Sequence, residues 1–255
     1  MRALLAVVAL SAGCDQLFQI NQIGFDAGAG AHDGAAERAD APIPTDPTLL
    51  GFGQQAYSDT MPYSTVNVTL AGQYDAGTLV VVAICEGSTS TGQTVIDGGA
   101  TKYTEAVTAE GMVASPVLTA QLYYGILAAP AQQPMIQVEF TDAVFYPDVR
   151  VAAYANLATL ATFESAAATS GMATTSVTTV TQVPAAPTLL VAATCVGQET
   201  TAIDGFTIRT VTTPNGDALA DTVTRSIGVA TATAHQNSPS GMILQVAAFQ
   251  GIPAR

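Results

Sequence analysis

"TLLVAATC" occupies residues 188–195, and "TLVVVAIC" occupies residues 78–85. One chain writes nearly the same strand twice, with the two terminal cysteines 110 residues apart. Each stretch is apolar at odd and even positions alike, so alternation leaves neither face for solvent. Both therefore read as central strands covered on both sides. After the first come "IDGGATKYTEAVT" (96–108) and "VRVAAYANL" (149–157). After the second come "IDGFTIRTVTT" (203–213) and "LQVAAFQGI" (244–252). Three matching blocks in the same order read as an internal duplication, with halves at about 64–157 and 176–252. Two such sheet units packed face to face predict an all-β fold, an antiparallel β-sandwich of jelly-roll type built from two similar halves.

Other segments agree. "STVNVTL" (64–70) puts Val66, Val68 and Leu70 on one face, and "MIQVEF" (135–140) does the same with Ile136, Val138 and Phe140. "FTIRTV" (206–211) is also of strand length. Turn residues separate the runs: Gly72, Gly98–Gly99, Pro130, Pro147, Pro187 and Asn215–Gly216. A weak helical period at Leu157, Leu160 and Phe163 predicts at most one short turn of helix. The composition is 49% hydrophobic and 11% charged, with Lys102 the one lysine and no Trp. Exposed helix faces want Glu, Lys and Arg, whereas outward strand positions accept Thr and Ser. A net charge of −13 with scattered cations such as Arg150, Arg209 and Arg225 excludes nucleic acid as a partner.

The amino terminus, "MRALLAVVALSAGCDQ", places the apolar run Ala3–Leu10 after a single Arg2. A bilayer span needs about 20 apolar residues in a helix, so this run reads as an export signal. "LSAGC" (10–14) resembles the lipobox of bacterial lipoproteins, with Ser11 where Leu is usual and Leu10 one place further out. That resemblance implies a signal peptide at 1–13 removed between Gly13 and Cys14, a diacylglycerol thioether on Cys14, and a further acyl chain, typically palmitate, on the new amino group. The membrane would then be reached through lipid on Cys14, with inner or outer membrane unassigned. Residues 14–50 are rich in Gly, Ala, Asp and Pro and read as a disordered tether. Residues 51–255 form the β-sandwich domain.

The domain resembles a β-sandwich found in uncharacterised extracellular bacterial proteins. "GTLVVVAI" (77–84), "FYPDVRVAAYANL" (145–157), "TTPNGDALAD" (212–221) and "MILQVAAFQG" (242–251) carry the likeness. It implies a surface role and no more.

No P-loop, dinucleotide fingerprint, G-x-S-x-G or H-E-x-x-H occurs, and no cofactor is expected. His235 lies in "TAHQNSPSG" (233–241), read as a polar loop, and a hydrolase would need a Ser and an Asp beside it. Asp97, Asp204, Asp217 and Asp221 are weak calcium candidates, since no dense Asp run gathers the six to eight oxygens calcium takes. Tyr123, Tyr124 and Tyr146 are candidates for carbohydrate contact, with one of the adjacent pair facing outward in a regular strand. With Cys14 consumed by lipid, Cys85 and Cys195 remain in an oxidising compartment. They bridge if a twofold axis runs between their strands. They stay free thiols if the strands lie in opposite sheets, because stacked sheets sit about 10 Å apart. The expected function is a lipid-anchored, non-catalytic structural or adhesive protein of the cell envelope with an envelope or extracellular ligand. A carbohydrate-binding module is the alternative, and a hydrolase the third reading.

Overall fold

The computed structural model describes residues 46–87, 92–112, 117–158, 163–183 and 187–252. The expectations for the signal peptide, for Cys14 and for the tether up to residue 45 lie outside the described residues. Within them the chain is all-β, without helix. The strands in chain order are β1 (Thr48–Ala56), β2 (Tyr63–Thr69), β3 (Gln73–Tyr74), β4 (Leu79–Glu86), β5 (Gln93–Ile96), β6 (Thr104–Met112), β7 (Val117–Ile126) and β8 (Ala131–Gln132). They continue with β9 (Met135–Val144), β10 (Asp148–Ala155), β11 (Phe163–Val183), β12 (Thr188–Val196), β13 (Thr200–Ile203), β14 (Thr207–Val211), β15 (Ala218–Thr224) and β16 (Gly228–Gln250).

The first sheet has five strands in the order β1-β10-β4-β7-β6, all antiparallel. A three-stranded sheet, β2-β9-β5, covers one of its faces. Alternation decides which side chains meet there. Val80, Val82 and Ile84 of β4 and Val149 and Val151 of β10 face Val66, Val68, Ile136, Val138 and Phe140. Each such side chain, fully buried, contributes roughly 1.5–3 kcal/mol.

The second sheet runs β11-β16-β12-β15-β14, with β13 added on β16. Strands β11 and β16 are long and pair along most of their length. Between Ala173 and Thr175 the register jumps from Ser240 to His235, a bulge of the kind that bends a strand. Both arms of β16 then supply one core: Ala232 and Ala234 from the first arm, Met242, Leu244 and Val246 from the second. The segment read as a polar loop around His235 is therefore continuous strand. Its alternate residues, Ala232, Ala234 and Gln236, are buried, and Thr231, Thr233 and His235 line the other side.

The other faces of the two large sheets meet each other. Leu79, Val81 and Ala83 of β4 pack with Leu189, Val191 and Ala193 of β12, together with Tyr154, Leu219 and Phe249. This explains why both quoted stretches lack a polar face. It also corrects the reading of Tyr123 and Tyr124, because β7 is covered on both sides. Tyr123 joins the first core, and Tyr124 stacks on Phe163 at 4.9 Å and edges Phe249 at 5.6 Å.

Two boundaries differ from expectation. Strand β1 begins at Thr48, inside the stretch read as tether, because its ladder with β10 starts at the Thr48–Ala155 pair. Leu157 forms an isolated bridge with Gly251, and Phe163 opens β11.

Candidate functional site

Strand β10 writes two charges into an apolar run, "DVRVAAY", and the fold buries both. A buried charge is tolerated only when paired and hydrogen-bonded. Arg150 Nη1 crosses to the second sheet and donates to the carbonyls of Thr194 at 2.7 Å and Ala218 at 2.5 Å. Its Nε lies 3.0 Å from Asp148 Oδ1. The Thr212 hydroxyl donates to Asp148 Oδ2. Thr194 Oγ1 accepts the Ala218 N–H at 2.8 Å and shares a second hydrogen bond with Thr200 Oγ1.

Asp217 stands beside this pair and is 1% exposed. Its Oδ1 accepts the Val196 N–H at 2.7 Å, and its Oδ2 meets no donor among the described residues. Burial, then the neighbouring Asp148 carboxylate, pushes the Asp217 carboxyl well above the usual carboxylate range. Arg150 and the Val196 N–H pull the other way and are outweighed.

Cys85 at the end of β4 and Cys195 near the end of β12 form a disulfide with Cα atoms 5.4 Å apart. The bridge is the one expected, but its setting is not. The strands lie in opposite sheets, an arrangement expected to keep the thiols apart. Twisted sheets do not hold one spacing, and at this end the facing side chains include Cys85, Cys195 and Ala120, small enough to let the backbones close in. A cleft of about 410 Å³ opens at the bridge, lined by Cys85, Tyr146, Gly197, Pro214, Asn215 and Asp217 among others. One wall is the turn at Gly216, whose φ of +82° favours glycine. An Asp217 oxygen and both sulfurs lie within 4.8 Å of one another. Joined as a disulfide, the sulfurs offer no thiolate to a metal.

The remaining candidates are dispersed. Of the three tyrosines only Tyr146 borders the cleft, so they make no row. Asp97 Oδ1 accepts the Gly99 N–H at 2.8 Å in a turn. Asp204 Oδ2 lies 3.0 Å from His235 Nε2. Asp221 takes both Arg209 Nε and Nη2, at 2.8 and 2.7 Å, and accepts the Tyr154 hydroxyl at 2.9 Å from the facing sheet. With Asp217 at the cleft, the four carboxylates serve four separate settings and do not converge. The hydroxyl beside His235 belongs to Thr175, 3.4 Å from Nδ1, and not to a serine.

In the sequence Arg150 counts only as a scattered cation, and nothing is assigned to Asp148 or Thr212. The available signal was a charge pair two residues apart inside a run otherwise fit for burial. No family model, no curated protein and no solved structure matches the chain.

Proposed function

We propose that the chain is an exported, lipid-anchored structural or adhesive module of the bacterial cell envelope, without catalysis of its own. The observation that carries this reading is how the interior spends its polar groups. Arg150, Tyr154 and Gln245 reach across to the facing sheet, and the Cys85–Cys195 bridge ties the same two sheets covalently. Such groups stiffen a body against pulling, and a disulfide bridge suits an oxidising compartment. The export signal and the lipobox-like "LSAGC" at 10–14 fit that compartment.

The chain reads as two similar halves of jelly-roll type. In each large sheet the outer strand comes first in the chain, its neighbour last, then the second, fourth and third of the five. That common order supports the duplication read from the repeated blocks.

Labelled fatty acid should enter the wild-type protein and hold it at the membrane, and should be absent from a Cys14→Ser variant found in the soluble fraction. Equal labelling of both proteins contradicts the anchor. A glycan array probed with the lipid-free chain separates adhesion to carbohydrate from a purely structural role.

A further inference from the structure

The bridge between the sheets is not sealed inside the core. Both cysteines are buried in one cluster with Ala120 and Ile243, but Cys85, 4% exposed, borders the cleft, whereas Cys195, 1% exposed, does not line it and approaches the Thr119 carbonyl, 3.9 Å from its sulfur. The two sulfurs therefore differ in access. We propose that Cys85–Cys195 is an exchangeable disulfide that a small thiol attacks through the cleft at Cys85 Sγ, with the Asp217 carboxyl beside the sulfurs as the proton donor to the departing Cys195. This goes beyond the structural reading, because it makes the clamp between the sheets reversible.

The chemistry balances with a monothiol such as glutathione as reductant. Its thiolate attacks Cys85 Sγ and forms a mixed disulfide while the Cys85–Cys195 bond breaks. The electron pair of that bond leaves on Cys195 Sγ. A bare thiolate is disfavoured among Ala120 and Ile243, so the sulfur needs a proton at once. The carboxyl of Asp217, within 4.8 Å of both sulfurs, supplies it and recovers a proton from the cleft. A second thiolate then attacks the glutathione sulfur of the mixed disulfide. Cys85 is released and takes a proton from water. Overall the bridge gains two electrons and two protons, and two thiols become one disulfide.

Asp217 has the properties the step needs. Its Oδ2 meets no donor among the described residues, and burial together with Asp148 pushes its carboxyl well above the usual carboxylate range. The charged groups facing it are Asp148 and Arg150, both from β10. A proton given up by Asp217 leaves a carboxylate within the field of the Arg150 guanidinium.

The test is the rate at which the folded full chain is reduced by glutathione, followed by alkylation and mass. Direct attack predicts a rate first order in glutathione and unchanged by urea below the unfolding transition. A rate that climbs with urea along the slope of global unfolding would overturn the proposal, because the bridge would then react only in the opened chain. Asp217→Asn discriminates further. A variant that merely loosened the fold would be reduced faster. Loss of the proton donor makes it slower, by about tenfold or more, and a faster or unchanged rate counts against Asp217. Access is read separately with oxidised glutathione. Cys195→Ser should take up one glutathione on Cys85, and Cys85→Ser should leave Cys195 unmodified; the reverse pattern places the attack on the wrong sulfur.

Discussion

Arg150 and Gln245 hold the same register position in the two large sheets, and each reaches across to the other. Arg150 sits opposite Ala83 in the β10–β4 ladder, and Gln245 sits opposite Ala193 in the β16–β12 ladder. Ala83 and Ala193 are the matching alanines of the two quoted stretches. Arg150 donates to the carbonyls of Thr194 and Ala218, and Gln245 Nε2 donates to those of Val107 and Ala120 at 3.1 and 3.0 Å. The carbonyls of Ala218 and Ala120 lie on β15 and β7, the strands that flank β12 and β4 on the side away from β16 and β10. These two crossings are reciprocal, and with the Tyr154–Asp221 and Thr212–Asp148 hydrogen bonds they tie the sheets through an apolar layer.

These crossings should differ in strength. Arg150→Met leaves Asp148 buried beside a neutral partner, and the expected loss is about 3–5 kcal/mol. Gln245→Leu removes two hydrogen bonds without stranding a charge, and about 1–3 kcal/mol is expected. Urea unfolding of both variants measures the order, and Asp148→Asn added to Arg150→Met should recover part of the larger loss. A Gln245 variant less stable than the Arg150 variant contradicts this account.

Removing the bridge should cost more than losing the Gln245 crossing and about as much as losing the Arg150 one. The disulfide closes a loop of 110 residues, for which chain entropy gives about 4–5 kcal/mol. The Cys85→Ala/Cys195→Ala double variant is expected to unfold at correspondingly lower denaturant. Unreduced wild-type protein, unfolded and alkylated, should gain no label at either position.

Asp217 gives the chain a pH dependence of definite sign. Its folded-state pKa is raised, so the native chain keeps a proton that the unfolded chain releases above the ordinary carboxylate range near 4. The stability linked to that proton is fully present below this range and is lost as pH rises toward the folded-state value. One proton gives at most about 1.4 kcal/mol per pH unit. Stability curves from about pH 4 to about pH 8 should therefore converge in favour of Asp217→Asn as pH rises. Parallel curves would mean that Asp217 is not the linked group.

Gly216 supports the same wall of the cleft by sterics. A Cβ there would stand 2.5 Å from Glu199 Cα, which is backbone and has no rotamer to yield. Its φ of +82° adds strain for any other residue. Gly216→Ala should lose at least about 2 kcal/mol, whereas Gly171→Ala, with open space around its Cβ, should be close to neutral in thermal unfolding.

The sequence was legible where apolar side chains ran without interruption. Strands β4 and β12 declared their depth because neither has a polar face, and β2 and β9 declared theirs by alternation. Strand β11 and the first arm of β16 stayed hidden because Ala, Ser and Thr fill them, residues equally at home in a loop. The tyrosine pair was misjudged because alternation assumes that one face of a strand is wet, and β7 lies between two layers. The cleft was half legible. The repeat pointed to the cysteines, but Asp148, Arg150 and Asp217 meet only after strands distant in sequence are stacked. No spacing rule within one strand anticipates that meeting.

The link from β4 to β12 also decides what a protease can do to this chain. A single peptide-bond cut between Leu157 and Phe163 would break the only main-chain path from the first sheet to the second. The fragments would still share the bond from Cys85 to Cys195, 110 residues apart. A nicked molecule therefore stays in one piece, with its carboxyl-terminal half retained on the amino-terminal one. Shedding of that half requires two events of different kinds, hydrolysis of the backbone and reduction of the sulfur bond.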